Sequence, residues 1–212
     1  MKKSFEEIIK GAEFLIGGYF REMRTMTNLH RLDCVKKRNP SYVYDPEDEL
    51  IRENLMEHVG SLPVMAVYFH GLIEENVDLG RVLEMLAIHD IGELATGDKN
   101  VFVKKEDEAE TEKREALKLL DERRQALYLE FEAVETNEAK FAKSIDKIVP
   151  DFLDLMAGKD LTEKRLKHFA NLEPNQIIDT IEKFKSPYMQ WSPFFKEFHG
   201  ELIKRMRMSY DI

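Results

Sequence analysis

Apolar side chains recur at intervals of three and four along almost the whole chain, and no long stretch alternates as a strand does. Ile8, Ile9, Ala12, Leu15, Ile16, Tyr19, Phe20 and Met23 set the pattern, after a Ser4/Glu7 pair with capping-box spacing. Leu79, Val82, Leu83 and Leu86 repeat it behind Asp78, a good helix cap. Phe141, Ile145, Val149, Phe152 and Leu155 repeat it again, from a start at Thr136 or Asn137 to a stop near Gly158. Such stripes can be buried only by packing helices against one another, so the expected fold class is all-α.

The remaining boundaries follow from breakers and caps. A helix is expected from about Glu47 past His58, with a kink or break near Ser61 because Pro63 lies inside it. One charged amphipathic helix is expected from Lys104 to Phe131, with a solvated outer face. Pro150 predicts a second kink, and helices over 160–170, 173–184 and 193–208 complete the set. Residues 36–48 read as a loop ending in Asp45-Pro46, an N-cap and first helical residue. With 212 residues and neither repeats nor a dividing linker, residues 1–212 are expected to form one domain. Its motif-bearing core would span about 27–157, with C-terminal helices at 160–208 packed on it.

Charge narrows the partners. The chain has 41 acidic against 32 basic side chains, a net charge of −9, which argues against coating a nucleic-acid polymer. A small phosphorylated ligand needs only a few local cations and stays open. No uncharged apolar run approaches the roughly 20 residues of a membrane span. Cys34 is the single cysteine and cannot form an internal disulfide, so a reducing, cytoplasmic setting is expected.

Within this helical frame, His89-Asp90-Ile91-Gly92-Glu93-Leu94-Ala95-Thr96-Gly97-Asp98 crowds an imidazole and three carboxylates into one helix end and the turn after it. His89 continues the Met85/Leu86 stripe, and a buried Asp90 beside it is expensive without a cation or donor. A neutral imidazole and a carboxylate are ligands for first-row metals. Gly92 would permit a close backbone approach there. Asp146 is a carboxylate on the apolar side of a core helix; a buried salt bridge with a lysine such as Lys143 or Lys147 is the alternative to ligation, although both are expected on other faces. His58, taken alone among Leu55, Leu62 and Met65, reads as a core or surface histidine rather than a ligand. If His58, His89, Asp90 and Asp146 meet, they form a two-nitrogen, two-oxygen metal site. Glu93 and Asp98 would then be its acid/base carboxylates.

The spacing of Glu53-Asn54-Leu55-Met56-Glu57-His58, of the HDxxExxTGD decamer at 89–98, and of Glu135 to Lys147 resembles the HD superfamily of metal-dependent phosphohydrolases. The likeness is greatest to its 5′-deoxynucleotidase branch. It implies an HD-type helical bundle with one divalent ion (Mn²⁺, Co²⁺, Fe²⁺, Zn²⁺ or Mg²⁺) held in its core by His58, His89, Asp90 and Asp146. It also implies Glu93 and Asp98 as catalytic carboxylates, Arg31 and Lys104 as phosphate-binding groups with Arg52 competing for the arginine's place, and a homodimer. Where the bacterial nucleotidases carry an aromatic after the arginine, Leu32 stands here, which leaves the choice between deoxyribose and ribose open. No histidine lies between Asp90 and Asp146, where two-metal members supply extra ones, so a single ion is expected.

The implied activity is removal of phosphate from nucleoside or deoxynucleoside 5′-monophosphates. A different phosphoester or a nucleoside triphosphate is the alternative substrate, and a non-catalytic metal- or nucleotide-binding helical module is the alternative class. Tyr188, Trp191, Phe194, Phe195 and Phe198 form an aromatic cluster that reads first as core and second as a dimer surface.

Overall fold

A computed structural model of the chain describes residues 30–35, 52–97, 106–157 and 174–211. The expected helix after Ser4, the 36–48 loop, the 160–170 helix, Asp98 and Lys104 lie outside these residues. Among the described residues, helices build the fold, as expected. A short antiparallel ribbon is added, β1 (His30–Val35) pairing with β2 (Arg52–Asn54), with His30 opposite Asn54 and Val35 opposite Arg52. Strands of this length carry too few alternating residues to stand out against a helical background.

The ribbon runs directly into α1 (Leu55–His70), so the expected start near Glu47 moves to Leu55. Pro63 lies within α1, and the helix nevertheless continues to His70 instead of breaking at Ser61. Its buried face, Leu55, His58, Val59, Leu62, Ala66 and Phe69, outweighs the one backbone bond that proline removes. Asp78 caps α2 (Leu79–Ile88) as expected, accepting the Arg81 N–H at 3.2 Å. A one-turn helix, α3 (Glu93–Thr96), follows the His-Asp doublet and ends at Gly97, whose φ of 76° favours glycine.

The single helix expected from Lys104 to Phe131 is two, α4 (Glu106–Leu119) and α5 (Glu122–Ala133). Asp121 breaks it by accepting the Arg124 N–H at 3.0 Å. The Gln125 amide donates to the Leu117 and Leu120 carbonyls at 2.6 and 3.0 Å, which closes the end of α4. Thr136 Oγ1 accepts the Ala139 N–H at 3.2 Å and opens α6 (Asn137–Ala157), which runs through Pro150. Then come α7 (Pro174–Lys185), a 3₁₀ turn (Ser186–Met189) and α8 (Pro193–Ser209).

The long helix α6 lies at the centre, packed against α1, α2, α5, α8 and the ribbon. Its buried Phe141, Ile145 and Ile148 share one core with Leu62 and Phe69 of α1, Met85 and Leu86 of α2, and Phe195 and Leu202 of α8. The C-terminal aromatics are therefore core: Phe194, Phe195 and Phe198 pack on Phe69 with ring centroids 5.9, 5.9 and 5.1 Å away. Among the described residues, no helix is long and apolar enough to cross a membrane.

Candidate metal centre

His58 stands in the first turn of α1, fully buried and carried inward by the same face as Leu55 and Leu62. His89 and Asp90 follow the last residue of α2 in a run of tight turns. There the Ile91 N–H donates to the Ile88 carbonyl at 3.1 Å and the Glu93 N–H to the Asp90 carbonyl at 3.0 Å. The doublet thus lies just past the helix, where adjacent side chains can turn toward one point. Asp146 comes from the middle of α6, among buried Ala142, Ile145 and Val149.

These four side chains converge. Asp90 Oδ2 lies 3.1 Å from His89 Nε2 and 3.6 Å from His58 Nε2. Asp146 Oδ1 lies 3.5 Å from each of the same two nitrogens. One donor atom each from His58, His89 and Asp146 falls within 4.8 Å of the others, a group that could hold a metal ion. Asp90 reaches the same nitrogens and offers a further oxygen.

One hydrogen bond sets the chemistry of His89. Its Nδ1–H donates to the Leu86 carbonyl at 2.9 Å, so in the neutral ring the lone pair is on Nε2, pointing at two carboxylates. That Nε2 is buried between the two carboxylates. A buried lone pair facing carboxylate oxygens calls for positive charge between them, either a proton or a cation. Burial favours the neutral ring, but the charge of Asp90 and hydrogen bonds to Asp146 and Asp90 push His89 up to about 10. Burial likewise acts to raise Asp146, while Lys147 and the two imidazoles hold it well below the usual carboxylate range. Two imidazole nitrogens with carboxylate oxygens suit first-row divalent ions, so the donor set fits such a cation.

The surroundings correct two expectations. Lys147, though its helix position faces elsewhere, reaches back so that its Nζ lies 2.9 Å from Asp146 Oδ2, while Lys143 does turn away, to Glu132 at 2.9 Å and over the Phe131 ring at 4.0 Å. Gly92 does permit a close approach, but what approaches is α4, since a Cβ there would stand 2.4 Å from the Glu112 carbonyl oxygen. Glu93 is buried at the start of α3, tied by its backbone to Asp90. Tyr128 of α5, which the periodicity marks only as helical, is buried beside this acidic group. Burial raises it, and Glu132, Glu112, Asp90 and Glu93 add to the rise, so its hydroxyl stays protonated. Arg31 lies on β1 and Arg52 on β2, with β1 against α6.

A bundle with two histidines and two aspartates at its centre is the arrangement of an HD domain. The chain belongs to that family: its profile, described as HD domain, matches residues 45–185, well over half of the chain. HD domains bind divalent metal ions, and the buried His58, His89 and Asp146 form the group that could hold one here. Among solved structures, that of a predicted metal-dependent phosphohydrolase from Magnetospirillum magnetotacticum MS-1 aligns with a TM-score of 0.64 at 22% identity, covering 92% of this chain and 96% of the other. At that identity the likeness is one of fold. No curated protein sequence matches the chain.

Proposed function

We propose that the chain is a metal-dependent phosphohydrolase that removes phosphate from nucleoside 5′-monophosphates, deoxynucleotides among them, and works as a cytoplasmic homodimer. The convergence of two imidazole nitrogens and two aspartate oxygens carries this reading. Its similarity in fold to a predicted metal-dependent phosphohydrolase supports the chemistry. The resemblance of the three sequence blocks to the 5′-deoxynucleotidase branch supports the substrate and the homodimer. Held by His58, His89, Asp90 and Asp146, a divalent cation would supply Lewis acidity toward a water nucleophile and offset phosphate charge. Glu93, buried beside Asp90, takes a proton from that water as its oxygen bonds to phosphorus. It returns the proton to the departing 5′-oxygen as the phosphorus–oxygen bond breaks, giving nucleoside and orthophosphate. Asp98 orients Glu93, and Arg31 and Lys104 neutralise the non-bridging oxygens, the electrostatic part of phosphoryl transfer.

The test is orthophosphate release from dAMP, dTMP, dCMP and their ribose counterparts with Mn²⁺ or Co²⁺. Turnover of monophosphates is the expected result. Triphosphate release, or activity on sugar phosphates alone, would replace the substrate. A metal-loaded protein inert with every divalent ion would point to a binding module. Glu93→Ala should lower turnover by about 10²–10⁴-fold with metal content unchanged, and full activity in that variant would remove Glu93 from the scheme.

A further inference from the structure

We infer that Lys147 is a positioning residue that restricts Asp146 to one ligating oxygen and so biases the centre against large, oxygen-seeking cations such as Ca²⁺. The inference rests on the reading of the cluster as a divalent-metal site. The two oxygens of Asp146 are already divided: Oδ1 lies 3.5 Å from both imidazole nitrogens, and Oδ2 lies 2.9 Å from Lys147 Nζ. The Asp146 side chain is 8% exposed and that of Lys147 is 24% exposed, so little water competes for that oxygen.

This pairing is not the one helical geometry favours. Neighbours on a helix point about 100° apart, whereas residues four apart face each other, which makes Asp151 the natural partner of Lys147. Asp151 is fully buried and bonded instead by Lys185, at the end of α7. The ring of Phe184, next to Lys185, sits 5.9 Å from Lys147 Nζ. Helix α7 therefore occupies the alternative acid and covers the ammonium, which leaves Lys147 to Asp146.

The consequence is one of coordination. Ca²⁺ takes six to eight oxygens, often with a carboxylate giving both of its own, whereas first-row ions are satisfied with fewer, shorter bonds. An Asp146 whose Oδ2 is engaged cannot give both. It also keeps an ammonium beside the ion: the two ligating carboxylates and a divalent cation sum to zero, and Lys147 offsets the further negative charge of Glu93.

The experiment measures Mn²⁺ and Ca²⁺ dissociation constants by calorimetry on the metal-stripped full chain, as wild type, Lys147→Met and Lys147→Arg. Lys147→Met should raise the Ca²⁺-to-Mn²⁺ affinity ratio by about tenfold, the lower end of what outer partners of metal ligands contribute. Lys147→Arg, which keeps a charged donor, should hold the wild-type ratio. Loss of a nearby charge or a loosened fold moves both ions the same way and cancels in the ratio. Lys185→Met, which alters no residue of the centre, removes the ammonium that holds Asp151, lets Asp151 draw Lys147 away and should shift the ratio in the same direction by a smaller factor, which keeps the test alive if Lys147→Met fails to fold. Mn²⁺ binding with an unchanged ratio in the variants overturns the role of Lys147 and leaves the metal centre standing. A wild-type chain that binds neither ion overturns both.

Discussion

His89 is committed on one side: with Nδ1–H on the Leu86 carbonyl, only Nε2 is left to answer Asp90 and Asp146. Without metal that answer is a proton, because burial opposes charge but the two carboxylates outweigh it and raise the ring from 6.5 to about 10. A folded-state value above the unfolded one means that this stabilisation is complete below about 6.5 and is lost as the pH climbs to about 10. Asp146 has the opposite sign: held down, it stabilises above its unfolded value of 3.8 and loses that on acidification. The metal-free chain is therefore expected to lose melting temperature between about pH 7 and pH 10, while a Mn²⁺-loaded chain stays flat because the ion replaces the proton. Binding at about pH 8 should release roughly one proton per cation, measured by calorimetry in buffers of different ionisation enthalpy. A flat metal-free profile with no proton release would mean that the ring is neutral in the empty fold.

Between elements, α4 comes close to the turn after the doublet at Gly92. A methyl there would meet the Glu112 carbonyl oxygen at 2.4 Å and its Cγ at 2.8 Å, so the α4 backbone must move. Gly92→Ala should cost about 1–3 kcal/mol in urea unfolding, the usual range for overpacking. It should also weaken Mn²⁺ binding, since the displaced turn carries Asp90, and unchanged stability would show that α4 yields freely. The role of this glycine was half legible, as a close approach without its partner. What periodicity and caps encode locally was readable: the α2 and α6 stripes, the Asp78 cap, the start at Thr136. The break at Asp121 was not, because in a run of mixed charges a capping aspartate looks like one more surface acid. Pro63 does not break α1, since burial of Leu62, Ala66 and Phe69 outweighs a local helix breaker. His58 looked like core by its neighbours, and only its spacing to the decamer singled it out. The Lys147 salt bridge is legible as the alternative reading of Asp146, whereas the field around Tyr128 belongs to neither pattern, because it depends on how separate side chains meet in space.

At the scale of the whole molecule, the C-terminal elements share the core that carries the centre. Trp191, the single tryptophan of the chain, donates Nε1–H to Ser144 Oγ at 2.9 Å, and that hydroxyl reaches the Tyr188 carbonyl at 2.9 Å. Both bonds fasten the turn before α8 to α6, two residues from Asp146. Arg207 of α8 reaches Asp179 and Glu182 of α7 at 2.7 and 2.9 Å, and Lys185 binds Asp151 of α6. An independent C-terminal unit would leave Phe69 and Phe141 stripped of Phe194, Phe195 and Phe198, exposing aromatic surface that dominates core energetics. Unfolding is therefore expected to be one transition, with Trp191 fluorescence and far-ultraviolet circular dichroism coinciding in urea. Mn²⁺ at about 100 times its dissociation constant should add roughly 2.7 kcal/mol. It should move both curves together, because the side chains proposed to hold it span α1, the end of α2 and α6, and α6 is bolted to Trp191. A fluorescence midpoint below that of circular dichroism, or one indifferent to Mn²⁺, would separate α7 and α8 from the domain.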